Sequence, residues 1–121
     1  MSMILAYNLS AERAGRIRTL CAIQKLRMRV VEPDEFGVPV GILAGVLPAA
    51  EAALVEPFSE EMLVLCQLSE DALQHFLMGF RKNGIPSVAL KAVLTPTNAA
   101  WNGRALRDEL KKEHEAMTGR R

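Results

Sequence analysis

Residues 3–10 read MILAYNLS and residues 62–69 read MLVLCQLS. The two align without a gap, 59 residues apart, each an apolar run followed by an amide, a leucine and a serine. A short apolar run that ends at a polar turn is the pattern of a strand buried on both faces. The serine that follows offers its side-chain oxygen to the free N–H groups that begin a helix. Downstream of each copy come a helix, a second strand and a proline, Pro33 and Pro96. The chain therefore reads as βαβα written twice.

In the first half, Ala14, Ile17, Leu20 and Cys21 recur at helical spacing behind Ser10, with Glu12, Arg13, Arg16 and Arg18 outward, and this helix should end near Lys25. Residues 27–32 form the second strand, stopped by Pro33, which has no N–H for a ladder. Residues 34–58 should hold one short helix entered at Pro39, burying Ile42, Leu43 and Val46 and ended by Pro48. Gly37, Gly41 and Gly45 recur every fourth residue, which in a proline-containing soluble chain marks close backbone packing. In the second half, residues 62–67 are a strand and Ser69 caps the most regular helix. Its stripe is Ala72, Leu73, Phe76, Leu77 and Phe80, with acids at the start, Arg81 and Lys82 at the end, and Asn83-Gly84 as the stop. Residues 88–94 form the fourth strand. Thr97 or Asn98 should cap a last helix carrying Trp101, Ala105, Leu106, Leu110, His114 and Met117 along one side.

Alternation of strand and helix favours an α/β fold: one domain over residues 1–121, with a mostly parallel four-stranded sheet flanked by helices. Residues 1–58 and 59–121 would be its two βαβα halves. A ferredoxin-like α+β sheet is the competing layout, since it too is built from two βαβ units. If all four strands run the same way, their carboxyl ends share one edge, the usual ligand crevice of open α/β sheets. Asn8, Gln67, Thr95, Thr97 and Asn98 would then converge there beside two helix N-termini, a place that suits a small anion. The same residues are also ordinary turn and cap chemistry.

The charges fall in blocks. Residues 1–31 carry six cations and one acid, residues 32–71 nine acids and no cation, residues 72–121 nine cations and four acids. Folding can lay the acidic middle against the basic ends, or leave separate charged faces that steer partners. Arg13, Arg16, Arg18, Lys25, Arg27 and Arg29 run without an intervening acid after Glu12, but such a patch alone makes only salt-sensitive phosphate contacts, and stacking aromatics are scarce. Nucleic acid is an unfavoured partner. Cys21 and Cys66 stand alone, without a CxxC or a histidine at ligand spacing, which fits a reduced, cytoplasmic protein. No positive n-region precedes the first apolar run, and prolines and Glu51 interrupt the most apolar window, so neither export nor a membrane span is expected. His75 and His114 have no second ligand at metal spacing, and phosphate-loop, dinucleotide and hydrolase motifs do not occur, so no metal, cofactor or catalytic set is indicated.

The stretch GIPSVALKAVLTPTNAAW, residues 84–101, followed by ELKKEHE at 109–115 and preceded by SEEMLVLCQLS at 59–69, resembles a bacterial family known only as domain of unknown function 3783. The resemblance implies a small cytoplasmic bacterial protein and points at Lys91, Leu94, Thr95, Pro96, Thr97, Asn98 and Trp101, with no assigned chemistry to carry over. Lys91, a lone ammonium in an apolar strand, must protect an edge, pair with an acid such as Glu32 or Glu61, or lose its proton. The functional expectation is a non-enzymatic interaction or regulatory module, binding a protein partner or itself. The alternative is a binder of a small anion or metabolite, with enzymatic use open to it, at the strand edge near Thr95 and Asn98.

Overall fold

The computed structural model describes residues 2–118. Its strands are β1 (Met3–Tyr7), β2 (Arg27–Val31), β3 (Met62–Cys66) and β4 (Leu90–Val93), and its helices are α1 (Ala11–Ile23), α2 (Val40–Leu43), α3 (Glu70–Lys82) and α4 (Gly103–Thr118). The strands form one sheet in the order β2-β1-β3-β4. β1 pairs in parallel with β2 and β3 in parallel with β4, while the central pair β1–β3 is antiparallel. The sheet is thus mostly parallel. The ferredoxin-like alternative falls because each βαβ unit joins neighbouring strands instead of straddling a third.

The register of the central pair explains the repeat. Leu5 lies opposite Val64, its own counterpart in the aligned stretches, and Met3 opposite Cys66 mirrors Tyr7 opposite Met62. A pseudo-twofold axis therefore passes through the sheet at Leu5 and Val64. Such an axis returns each face of the sheet to itself, so crossovers of one hand put α1 and α3 on the same side. Ile4, Ala6, Leu63 and Leu65 pack there with Ile17, Leu20, Phe76 and Phe80. Leu5, Tyr7, Met62 and Val64 face the other side, under Phe36, Val40, Leu43, Phe58 and Leu106.

The correspondence runs well beyond eight residues. Asn8 and Gln67 both adopt left-handed backbone, with φ of 62° and 60°. Ser10 and Ser69 then accept from Arg13 N–H (3.2 Å) and Ala72 N–H (3.1 Å). The two helices end alike, with Lys25 and Gly84 at φ of 60° and 65°, and with Leu26 and Ile85 each donating 2.8 Å back into the helix, to Cys21 and Phe80. After that, residues 86–89 are extra in the second half. Beyond them Val30 corresponds to Val93, and Glu32-Pro33 to Thr95-Pro96.

Three local expectations change. Strand edges are shorter, because Glu32 and Gln67 already belong to turns and residues 88 and 89 only approach the sheet. In the segment 34–58, Leu43 is buried and Ile42 half-buried, but Val46 is 39 % exposed, since the helix stops at Leu43 and Gly45 turns left-handed at φ 81°. Gly37 and Gly41 do mark close backbone approach: a Cβ would lie 1.9 Å from the Ala53 carbonyl oxygen and 2.7 Å from that of Ala99. Finally, α4 starts at Gly103 and its cap is Asn102, whose Oδ1 accepts from Ala105 N–H (2.8 Å), so neither Thr97 nor Asn98 caps it and Trp101 precedes it. Leu106 faces the core, His114 is exposed, and the Met117 side chain lies outside the described residues.

Candidate functional site

The antiparallel central pair separates the residues that a common carboxyl edge would have gathered. β1 and β2 end on one side of the sheet, β3 and β4 on the other. Asn8 therefore sits at the entry to β3, where its Nδ2 donates to the carbonyls of Phe58 (2.8 Å) and Glu60 (3.0 Å). Gln67 lies at the opposite edge, where its backbone carbonyl accepts from Ser2 Oγ (3.0 Å). The expected convergence is thus corrected for Asn8 alone: Gln67, at the end of β3, shares the carboxyl edge of β3 and β4 with Thr95, Thr97, Asn98 and Trp101, with Lys91 on the adjoining strand.

Those remaining groups largely satisfy one another. Asn98 Oδ1 accepts from Thr95 N–H (2.9 Å), Thr95 Oγ1 accepts from Asn98 N–H (3.1 Å), and Asn98 Nδ2 donates to the Val93 carbonyl (3.0 Å). This is the reciprocal arrangement of a capping box, closed by Pro96, whose fixed φ suits the turn. Glu32-Pro33-Asp34-Glu35 makes the same box in the first half, with Glu35 Oε1 accepting from Glu32 N–H (3.1 Å). Thr97 is exposed and makes no cap. Trp101 is half-buried against the α4 side of the core, and its carbonyl accepts from Val40 N–H (2.8 Å), tying α2 to the turn before α4.

Lys91 lies on β4, an edge strand, the position that the first of its three readings requires. Its Nζ donates to the Val88 carbonyl, and no acid lies within bridging distance of it among the described residues. It borders an apolar hollow of ≈ 180 Å³ walled by Leu77, Phe80, Ser87 and Val88.

The acidic middle does fold onto the basic ends. Arg13 grips Glu61 with Nε (2.8 Å) and Nη2 (2.8 Å), and Arg107 and Lys111 hold Glu60 at 3.2 Å and 2.9 Å. The Lys111 hydrogen bond is the chief reason that the Glu60 carboxyl stays below its ordinary range. Arg29 meets Glu35 at 2.6 Å, and Arg16 donates to the carbonyls of Asn83 and Gly84. Half of the cationic run is thereby spent inside the fold. Burial pushes the Cys21 thiol up to about 11 and Cys66 up to about 12, the opposite of an activated nucleophile. Tyr7, at the centre of an aromatic cluster with Phe36 and Phe58, keeps a buried hydroxyl that no group among the described residues hydrogen-bonds, and burial raises its pKa above the ordinary value.

With this geometry in view, the second half can be placed among known proteins. Residues 61–117 match the family model of DUF3783, a domain of unknown function. No curated protein and no solved structure matches the chain. The DUF3783 stretch runs from Glu61 into α4 and contains all of β3, α3 and β4, together with the Thr95–Asn98 turn. The sequence missed two site features. Glu35 is legible only as the partner of Asn98 once the proline turns are aligned, and Asn102 only as a serine-like cap set before Gly103.

Proposed function

We propose that the protein is a non-enzymatic, cytoplasmic interaction module that binds a protein partner or a second copy of itself. The observation that supports it most is the asymmetry between side chains and backbone. The polar side chains that could have served chemistry are engaged within the fold: Asn8 on two carbonyls, Asn98 on β4, Glu60 and Glu61 in ion pairs. The outer edge of β2 meanwhile presents main-chain donors and acceptors that no other strand pairs. An open edge is a ready template for another chain. Protonated core thiols fit a reducing compartment. Among the described residues, no helix is long and apolar enough to cross a membrane.

Light scattering on the purified chain, with immobilised protein exposed to cell lysate, tests the reading. A defined dimer or a specifically retained protein is expected. A strict monomer that retains nothing would count against it.

A further inference from the structure

The two edge strands end in the same turn, and one residue decides what the end of each edge can still bind. Leu94 N–H donates to the Leu65 carbonyl (2.9 Å), so Ala92 and Leu94 turn their main-chain groups toward β3, and those of Val93 and Thr95 point away from the sheet. Asn98 covers both, accepting from Thr95 N–H and donating to the Val93 carbonyl. A single residue of a further parallel strand would make this same pair of contacts. The carboxamide therefore covers the far end of the β4 edge, while Val93 N–H and both main-chain groups of Lys91 still face outward. On the other side, Arg27 N–H reaches the Ser2 carbonyl (3.3 Å), so Arg27, Arg29 and Val31 face β1, and Met28 and Val30 face outward. The counterpart of Asn98 here is Glu35, which accepts from Glu32 N–H and holds Arg29 with its other oxygen. A carboxylate has no hydrogen to give. Among the described residues, no hydrogen bond reaches the Val30 carbonyl, counterpart of the covered Val93 carbonyl, nor Val30 N–H or the main-chain groups of Met28.

We propose that β2 of a second copy closes this edge, antiparallel about a twofold axis at Val30, so that the two four-stranded sheets become one. The proposal rests on the interaction-module reading and names its partner. Charge selects the occupant. Lys25 and Arg27 lie at the start of the strand and its approach, and Glu32 and Asp34 follow it, while Arg29 and Glu35 are paired with each other within the copy. Antiparallel pairing lays each basic start along the other copy's acidic end. An acidic peptide would answer the cations and leave the acids facing one another. Charge also selects the register. Outward residues must meet outward residues: pairing Met28 with Val30 sets Arg29 opposite Arg29, and pairing Met28 with Met28 sets Arg27 opposite Arg29. Like charges directly opposite are destabilising. Pairing Val30 with Val30 sets Arg29 opposite Val31 and Arg27 opposite Pro33 of the second copy, next to its Asp34.

Sedimentation equilibrium of the full chain, run over a concentration series, tests this. The wild type should dimerise. Val30→Pro removes an outward N–H and spares the ladder to β1, so it should be a folded monomer by circular dichroism. Arg27→Glu should weaken the dimer by about tenfold or more, as expected for reversing an interfacial charge, and Arg27→Glu with Asp34→Lys should restore it. A folded Val30→Pro dimer, or a charge swap that restores nothing, overturns the proposal, and the charge pair decides alone if the proline variant fails to fold. A monomeric wild type that still captures another protein defeats the second copy while leaving the module reading; a monomer that captures nothing defeats both.

Discussion

Asn98 shows how one side chain can look like chemistry and serve architecture. Its amide oxygen and nitrogen cover the far end of a strand edge at 2.9 Å and 3.0 Å, and its own N–H is held by Thr95. Asn98→Asp keeps the acceptor for Thr95 and removes the donor to Val93, so it should lose about 1 kcal/mol, the net worth of one hydrogen bond. Asn98→Ala loses both contacts and should fall further. Urea unfolding of the two variants measures the difference, and an Asp variant as stable as the wild type would mean that water serves the Val93 carbonyl as well. Thr95→Val should also destabilise, by about 1 kcal/mol, because the hydroxyl it deletes is the cap acceptor of this turn. Lys91 lies on the same edge strand, with its Nζ bent back to donate to the Val88 carbonyl.

Among the elements, α3 is the one whose sequence and structure agree at every position that matters. Ser69 caps it, acids open it, Arg81 and Lys82 close it, and Phe76 is fully buried with its ring set edge-on to Phe80 at 5.2 Å. Phe76→Ala should therefore cost about 3–5 kcal/mol, read from chemical denaturation, and a loss under about 1 kcal/mol would place the core elsewhere. The strands and both long crossover helices were legible because buried strands and amphipathic helices have periods that no turn imitates. Strand direction was not legible. Two βαβ halves can follow one another in parallel or be related by a twofold axis, and the apolar pattern of β1 and β3 is the same in both cases; only the path of residues 34–61 chooses. That path is set by close approaches such as Gly37 against Ala53, which a sequence shows merely as a glycine. The start of α4 was misread for a related reason: Asn98 has cap chemistry, but Val93 and Thr95 claim it first, and Thr97 stays exposed.

At the scale of the whole molecule, the two halves are held by a shared sheet and by the Arg13–Glu61 pair at the β3 entry, beside which Glu60 ties α4 to the same entry. Glu60 has its folded pKa depressed, first by the Lys111 hydrogen bond and also by Arg107. A depressed carboxyl contributes stability that is complete above its unfolded value, about 4.3, and is lost as pH falls through the lower folded value. The melting temperature should accordingly be flat near neutrality and drop in acid, with Glu60→Gln flattening part of that drop; an unchanged acid limb would show that Glu60 contributes nothing. The last expectation concerns the family match itself, which begins at Glu61 and so covers half of a symmetric fold. Met62–Cys66 are all buried, and what buries one side of them is β1 and the residues that pack with it. Cutting the chain at the pseudo-twofold axis would bare β3 along its whole length and open both apolar clusters, each of which draws residues from both halves. Residues 59–121 alone should then show no cooperative thermal transition as a monomer, and adding residues 1–58 should restore one, because β1 is the strand that pairs with β3 along its whole length on that side. Calorimetry of the fragment, with and without its complement, decides the matter: a cooperatively melting monomer would make DUF3783 a domain in its own right, with residues 1–58 an accessory, and would reverse the view that the folding unit is the pair.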